Sequence, residues 1–238
     1  MENIISFKDF TWQYSAQTEP TLKGLNLDIR KGEKILICGP SGCGKSTIGH
    51  CLNGLIPFSY KGDITGSLTI MGKETKELSL FEISKMVGTV LQDSDGQFVG
   101  MTVAEDIAFA LENDNVPQSE LFAKVKAVAN TVGIGDHLKY APTELSGGQK
   151  QRVSIAGVMV DDVPVFLFDE PLANLDPAAG QATIELIDDI HKNTQATIII
   201  IEHRLEDVLH RDVDRIVLMG EGQIDAIMTP DELLSTEL

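Results

Sequence analysis

The segment Gly39-Pro-Ser-Gly-Cys-Gly-Lys45-Ser46-Thr47 constrains this chain more than any other. It fits G-x-x-x-x-G-K-[ST], follows an apolar run, Lys34-Ile-Leu-Ile-Cys38, and opens a predicted helix. Glycine lets the backbone curl so that several N–H groups and a helix N-terminus point at one anion. The residues expected to hold phosphate are Gly39, Ser41, Gly42, Gly44, Lys45, Ser46 and Thr47. Lys45 supplies charge to terminal phosphates, and the Ser46 hydroxyl suits Mg²⁺. Cys43 lies inside the turn, and a nearby helix N-terminus makes it a candidate reactive thiol.

Further apolar runs at Val163–Phe168 and Thr197–Ile201 lack polar alternation, as strands buried on both faces do. Helical stretches are expected over Pro117–Thr131, Gln149–Val160 and Ala178–His191. This alternation predicts an α/β fold with a mostly parallel sheet. Ile4–Tyr14, Thr21–Ile29 and Ser67–Met71 suggest a small antiparallel patch beside it, and Ile216–Met219 with Gln223–Met228 a hairpin before a last short helix.

The first of these strands after the phosphate turn, Val165-Phe-Leu-Phe-Asp169-Glu170, ends in two carboxylates. Ligands of open α/β sheets sit at such strand ends. Asp169 is expected to hold the metal and Glu170 to polarise a water. A second anion cap, Ser146-Gly147-Gly148-Gln149, opens another helix. A chain with one nucleotide lysine needs only one such cap, and a Ser-Gly-Gly cap alone is more often a plain helix start.

Composition limits the partners. Lys and Arg number 19 against 36 Asp and Glu, a net charge of −17, which repels a phosphate backbone, so no nucleic acid is expected. No apolar run reaches the roughly 20 residues that a spanning helix needs. The N-terminus lacks the signal-peptide pattern, and three cysteines without a CxxC pair favour a reducing compartment. Between Met86 and Ala123 there is no Lys or Arg, while Asp93, Asp95, Glu105, Asp106, Glu112, Asp114 and Glu120 all fall there. That stretch is either a solvated acidic face or a docking surface for a basic partner.

Leu145-Ser-Gly-Gly-Gln-Lys-Gln-Arg152, lying between the phosphate loop and the acidic strand, resembles the signature of ATP-binding-cassette ATPases. The likeness covers essentially the whole chain. It implies a single domain over 1–238 with the P-loop NTPase fold. Residues 1–92 and 162–238 would form the nucleotide-binding core, RecA-like with an antiparallel β subdomain. Residues 93–161 would form an inserted α-helical subdomain carrying the signature. It implies ATP and Mg²⁺ as ligands. It also implies a head-to-tail dimer with a second cassette, in which each ATP lies between one chain's phosphate loop and the other's Ser146, Gly147, Gly148 and Gln149.

The resemblance carries to single residues. Tyr14 matches the aromatic that stacks on adenine, with Trp12 as a rival. Gln92 matches the glutamine that reaches Mg²⁺ and water and communicates with the membrane partner. Asp176 matches a loop that crosses the dimer interface, and could equally be a helix cap before Pro177. His203 matches the histidine at the γ-phosphate, which with Glu170 organises hydrolysis. Gln92-Asp-Ser-Asp-Gly-Gln97-Phe98 partly resembles energy-coupling-factor importers, where proline commonly stands at the position of Ser94. The implied setting is the cytoplasmic face of a membrane. There the chain would be peripheral, bound to an integral coupling subunit and a substrate-binding subunit, and would power import of a vitamin or metal ion. Another cassette class, or a soluble regulatory cassette, shares the same motifs.

Overall fold

The computed structural model describes residues 2–93 and 95–235; Ser94 lies outside them. The elements in chain order begin β1 (Asn3–Tyr14), β2 (Leu22–Arg30), β3 (Lys34–Cys38), α1 (Lys45–Leu52), α2 (Leu55–Phe58), β4 (Gly62–Ile70), β5 (Lys73–Glu74), α3 (Leu80–Ser84) and β6 (Val87–Val90). They continue α4 (Val103–Asn113), α5 (Gln118–Thr131), α6 (Gly147–Met159), β7 (Val165–Asp169), α7 (Pro177–Thr194), β8 (Thr197–Ile201), α8 (Leu205–Val208), β9 (Arg215–Gly220), β10 (Gln223–Met228) and α9 (Pro230–Ser235).

Among the described residues the strands form two sheets. One has the order β10-β9-β3-β8-β7-β6, parallel except for the β9–β10 hairpin. The other is antiparallel, in the order β2-β1-β4-β5. Both follow from the sequence pattern. β3, β8 and most of β7 are buried along their length, and their side chains alternate between two cores with the two-residue period of a strand. Leu36, Phe166, Phe168, Ile198 and Ile200 face the core built with α4, α5, α6 and α7. Ile35, Ile37, Leu167, Ile199 and Ile201 face the core built with α1 and the antiparallel sheet.

Local chemistry sets the helix ends near the site. Ser146 caps α6 with a reciprocal bond from Gln149: the Ser146 N–H donates to Gln149 Oε1 at 2.8 Å and the Gln149 N–H to Ser146 Oγ at 3.3 Å. Asp176 Oδ1 accepts from the Ala178 and Ala179 N–H groups, both at 3.0 Å, and Pro177 opens α7. The helix expected over Ala178–His191 runs on to Thr194, where Gln195 at φ +57° turns the chain left-handed and stops it. α4 was not among the expected helices. It carries its own capping box between Thr102 and Glu105.

The parallel register aligns the carboxyl ends of β7 and β8, with Asp169 paired to Ile201. The Glu170 N–H extends that pairing to the Ile201 carbonyl at 2.8 Å, and the Glu202 N–H reaches the Ile37 carbonyl at 3.1 Å. Three strand ends and the phosphate turn therefore meet at one rim of the sheet.

Candidate nucleotide site

A cavity of about 550 Å³ opens at this rim. Its walls come from Cys38, Gly39, Pro40, Ser41 and Lys45 on the β3–α1 side and from Glu170, His203 and Leu205 on the other. The turn is built for glycine. Gly39 has φ +155°, and a Cβ there would lie 2.3 Å from the Met219 carbonyl oxygen. Gly44 at φ +105° starts α1, with a Leu22 methyl 2.8 Å from where its Cβ would be.

Lys45 is 4% exposed, and its ammonium donates to the Gly39 and Pro40 carbonyls at 2.8 and 2.9 Å. The charge is thus held over the mouth of the turn by the turn's own backbone. Ser41, Gly42 and Ser46 are exposed at the surface of the loop, and Thr47 is buried. Cys43 is only 5% exposed, with its sulfur 4.0 Å from Lys45 Nζ. The expectation of a reactive thiol is corrected on that ground, because packing shields the sulfur from a reagent.

Across the cavity, Glu170 sits at φ +48°, a left-handed conformation that turns its carboxylate off the strand. Gln92 Nε2 donates to Glu170 Oε2 at 2.8 Å. His203 Nδ1 stands 3.9 Å from the same oxygen and 3.6 Å from Glu202 Oε2, and its side chain is 52% exposed. Gln92, Glu170 and His203 thereby stand together at one side of the cavity.

Asp169 supplies the test of a metal. Its Oδ1 is buried and has no hydrogen-bond partner among the described residues. Burial pushes its carboxyl up to about 6, the charges of Glu170 and Glu202 push the same way, and Lys45 opposes them. An oxygen with free lone pairs among like charges suits a hard divalent cation that also takes phosphate oxygens. Asp169, with the Ser46 hydroxyl and the Gln92 amide, therefore fits Mg²⁺.

Trp12 is fully buried and cannot stack on a ligand, so the rival to Tyr14 falls away. The Tyr14 hydroxyl lies 3.4 Å from Thr47 Oγ1 in α1, which sets its ring beside the phosphate loop. Tyr60, which the sequence reading passed over, packs edge-on against Tyr14 at 5.8 Å and stacks on His50 at 4.8 Å.

The Ser146–Gln149 cap does not line this cavity. Ser146 and Gly147 are exposed. A Cβ on Gly147 would sit 3.6 Å from Leu175 Cδ2, and one on Gly148 would sit 3.4 Å from Ala179 Cβ. The cap and the loop ending at Asp176 thus form one continuous surface. His137 Nε2 lies 3.0 Å from Gln149 Nε2 and backs this cap. In sequence it was one histidine without context.

A phosphate loop on a mostly parallel sheet, two carboxylates at the end of β7 and a separate helix cap define a class, the P-loop ATPases. A family model described as ABC transporter matches residues 22–173. The chain belongs to the ABC transporter family and carries its ATPase domain. It is 60% identical over 238 residues to a putative ABC transporter ATP-binding protein of Streptococcus mutans, covering 100% of this chain and 43% of that protein. It is 64% identical over 233 residues to another from Clostridium perfringens, covering 98% of this chain and 41% of that protein. The chain thus spans about two-fifths of the length of these curated relatives. It also superposes on the structure of cbiO1 from Clostridium perfringens, described as part of the ABC transporter complex cbiONQ. The TM-score is 0.89 at 31% identity, covering 99% of this chain and 92% of that one.

Proposed function

We propose that this chain is the ATP-binding and hydrolysing part of a membrane importer of the energy-coupling-factor type, one that moves a vitamin or metal ion. The observation that carries the reading is the meeting of Lys45, Glu170 and His203 in one cavity with Gln92 bonded to Glu170. The likeness to cbiO1, part of a cbiONQ transporter complex, supports the importer type.

In this reading the loop from Gly39 to Thr47 holds the triphosphate by its N–H groups and Lys45, and Tyr14 carries the adenine. Asp169, Ser46 and Gln92 would hold Mg²⁺, which supplies neutralisation of the β- and γ-phosphate charge. Glu170 accepts a hydrogen bond from the attacking water while His203 contacts the γ-phosphate. Ser146, Gly147, Gly148 and Gln149 of a second cassette close over the same ATP, and Asp176 lies at the seam. Binding thus favours a closed dimer, and hydrolysis reopens it. In this reading the core of 1–92 and 162–238 carries the phosphate loop and the carboxylates, and the helical part of 93–161 carries the cap that closes on the second cassette's ATP.

No helix among the described residues is long and apolar enough to cross a membrane; the proposed assembly docks on an integral coupling subunit. The acidic stretch from 86 to 123 supports a basic partner surface, and the geometry sharpens where to test it. Glu105 Oε2 accepts from the Met101 and Thr102 N–H groups, and Asp106 Oδ1 from those of Val99 and Gly100. Charge reversal at either would disturb the loop as well as the charge. Glu112 and Glu120 are exposed on α4 and α5 and, among the described residues, carry no such bonds to the loop. The test purifies the tagged full-length protein from detergent-solubilised membranes and identifies any stoichiometric integral membrane subunit. Lysine at both positions should weaken that association. Recovery of the protein with no membrane subunit would overturn the transport reading.

A further inference from the structure

We propose that Glu202 is a positioning residue for ATP hydrolysis: its buried carboxylate joins the loop that carries Glu170 to the loop that carries His203 and so fixes the backbone from which the His203 imidazole stands beside Glu170. The proposal rests on the reading of Glu170 and His203 as the hydrolytic pair.

Glu202 is 0% exposed, immediately after the buried run of β8. A carboxylate is acceptor-only, and a buried one must be met by donors. Its donors come from two separate loops. Oε1 accepts the Leu172 N–H at 3.0 Å, two residues past Glu170. Oε2 accepts the His203 N–H at 3.0 Å and, more loosely, the Arg204 N–H at 3.4 Å. The Glu202 N–H is itself fixed to the Ile37 carbonyl at the end of β3. A second tie runs outside the first, where the Arg204 guanidinium donates to the Leu172 carbonyl.

One side chain therefore fixes three points of the catalytic rim relative to one another. Among the described residues no direct side-chain hydrogen bond places the His203 ring, since its Nδ1 is 3.6 Å from Glu202 Oε2 and 3.9 Å from Glu170 Oε2. Its position is inherited from the backbone, and the backbone is held by Glu202. Phosphoryl transfer depends on such placement, because a small displacement of a positioned group lowers the rate steeply.

Glu202→Gln conserves shape but leaves a single acceptor oxygen. Its amide NH₂ must then face either the Leu172 N–H or the His203 and Arg204 pair, so one end of the tie is lost. A role confined to stability predicts a lower melting temperature with unchanged turnover per folded molecule. Positioning through His203 predicts a different pattern, read by a double-mutant cycle of Glu202→Gln with His203→Ala.

The experiment measures steady-state phosphate release and ATP affinity for all four forms of the full-length protein, well below their melting temperatures. Glu202→Gln should lower kcat about tenfold or more, as loss of an outer-shell partner does, while the Kd for ATP stays within about twofold. In the His203→Ala background the same change should cost less than about twofold. Equal losses in both backgrounds, or an unchanged kcat, would overturn the proposal. Full turnover in His203→Ala alone would instead remove the hydrolytic role of His203 beneath it. Should Glu202→Gln fail to fold, Arg204→Leu enters the same cycle, since it cuts the outer tie at a partly exposed side chain, and the same outcomes decide.

Discussion

The Gln92 side-chain amide donates to Glu170 Oε2 across 2.8 Å, although the two residues stand 78 positions apart in the chain. The bond links the segment after β6 to the carboxylate at the end of β7. Gln97 holds that segment from the other side, accepting the Leu91 N–H at 3.2 Å and donating to the Thr89 carbonyl at 2.9 Å. A displacement of residues 91–97 by a partner would therefore reach the carboxylate without passing through the core.

Glu170→Gln keeps the shape of this arrangement and removes the carboxylate proposed to act on the attacking water. Turnover should fall on the order of a hundredfold or more, the usual scale of a positioned acid–base group. ATP affinity should change little, since Glu170 grips no phosphate in the proposed geometry. Phosphate release and equilibrium binding, measured on the same preparation, check this. Full turnover in the variant would remove Glu170 from catalysis.

Asp169 gives a prediction in pH. Its carboxyl is raised from 3.8 to about 6, chiefly by burial. A raised folded-state value means that the stability this group contributes is fully present below about pH 4 and is lost as pH rises through about 6. Without metal or nucleotide, Asp169→Asn should therefore stabilise the protein above pH 6, by about 1–3 kcal/mol, and the difference should vanish near pH 4. Urea unfolding at pH 8 and pH 4 measures it. Mg-ATP should reverse the order at pH 8, because only the ionised carboxylate holds the cation. A variant no more stable than the parent at pH 8 would show that the burial and like charges at Asp169 carry no free energy.

The parts of the candidate rim were legible because they are backbone-dictated. The Gly39–Thr47 turn, the buried run before Asp169 and the Ser146 cap each demand a narrow set of residues, and those residues are contiguous. What escaped was side-chain accounting across the fold. β4 was expected only as Ser67–Met71, since its first half, Gly62-Asp-Ile-Thr-Gly66, has a single apolar residue and no buried position. Glu202 sits in Ile-Glu-His-Arg, where a charged residue after a strand reads as a turn. Only its complete burial, with donors from residues 172, 203 and 204, marks it as part of the rim. The reverse error befell Cys43, where proximity to a helix N-terminus was read as reactivity and packing decided otherwise.

Lys45→Ala deletes a buried cation already bonded to two carbonyls of the turn. Those carbonyls would then face the cavity without their donor, and the triphosphate would lose its nearest positive side chain. ATP affinity should fall by about tenfold or more, in line with losing a charge-assisted contact. The expected loss is larger for ATP than for adenosine, which Tyr14 still reaches. Competition binding with ATP, ADP and adenosine separates the two. Equal weakening for all three would point to collapse of the turn rather than loss of a phosphate contact.

The Ser146 cap lies outside the cavity that holds Lys45, yet its exposed glycines share a surface with the loop ending at Asp176. If the cap serves a neighbouring molecule's nucleotide, a bulky anion there should leave the chain's own site intact. Gly147→Asp adds a charge and a side chain that points toward Leu175, 3.6 Å from the added Cβ. In a Glu170→Gln background, where hydrolysis is slowed, Mg-ATP should drive the parent to a dimer in light scattering and leave the Gly147→Asp form monomeric. The affinity of the monomer for ATP should stay within about twofold, because each monomer keeps its own phosphate loop. Turnover in the otherwise native background should fall together with dimer formation and follow protein concentration in the parent. A Gly147→Asp protein that still dimerises with ATP and hydrolyses it at the parent rate would confine the cap to starting α6, and the triphosphate would then be served by one subunit alone.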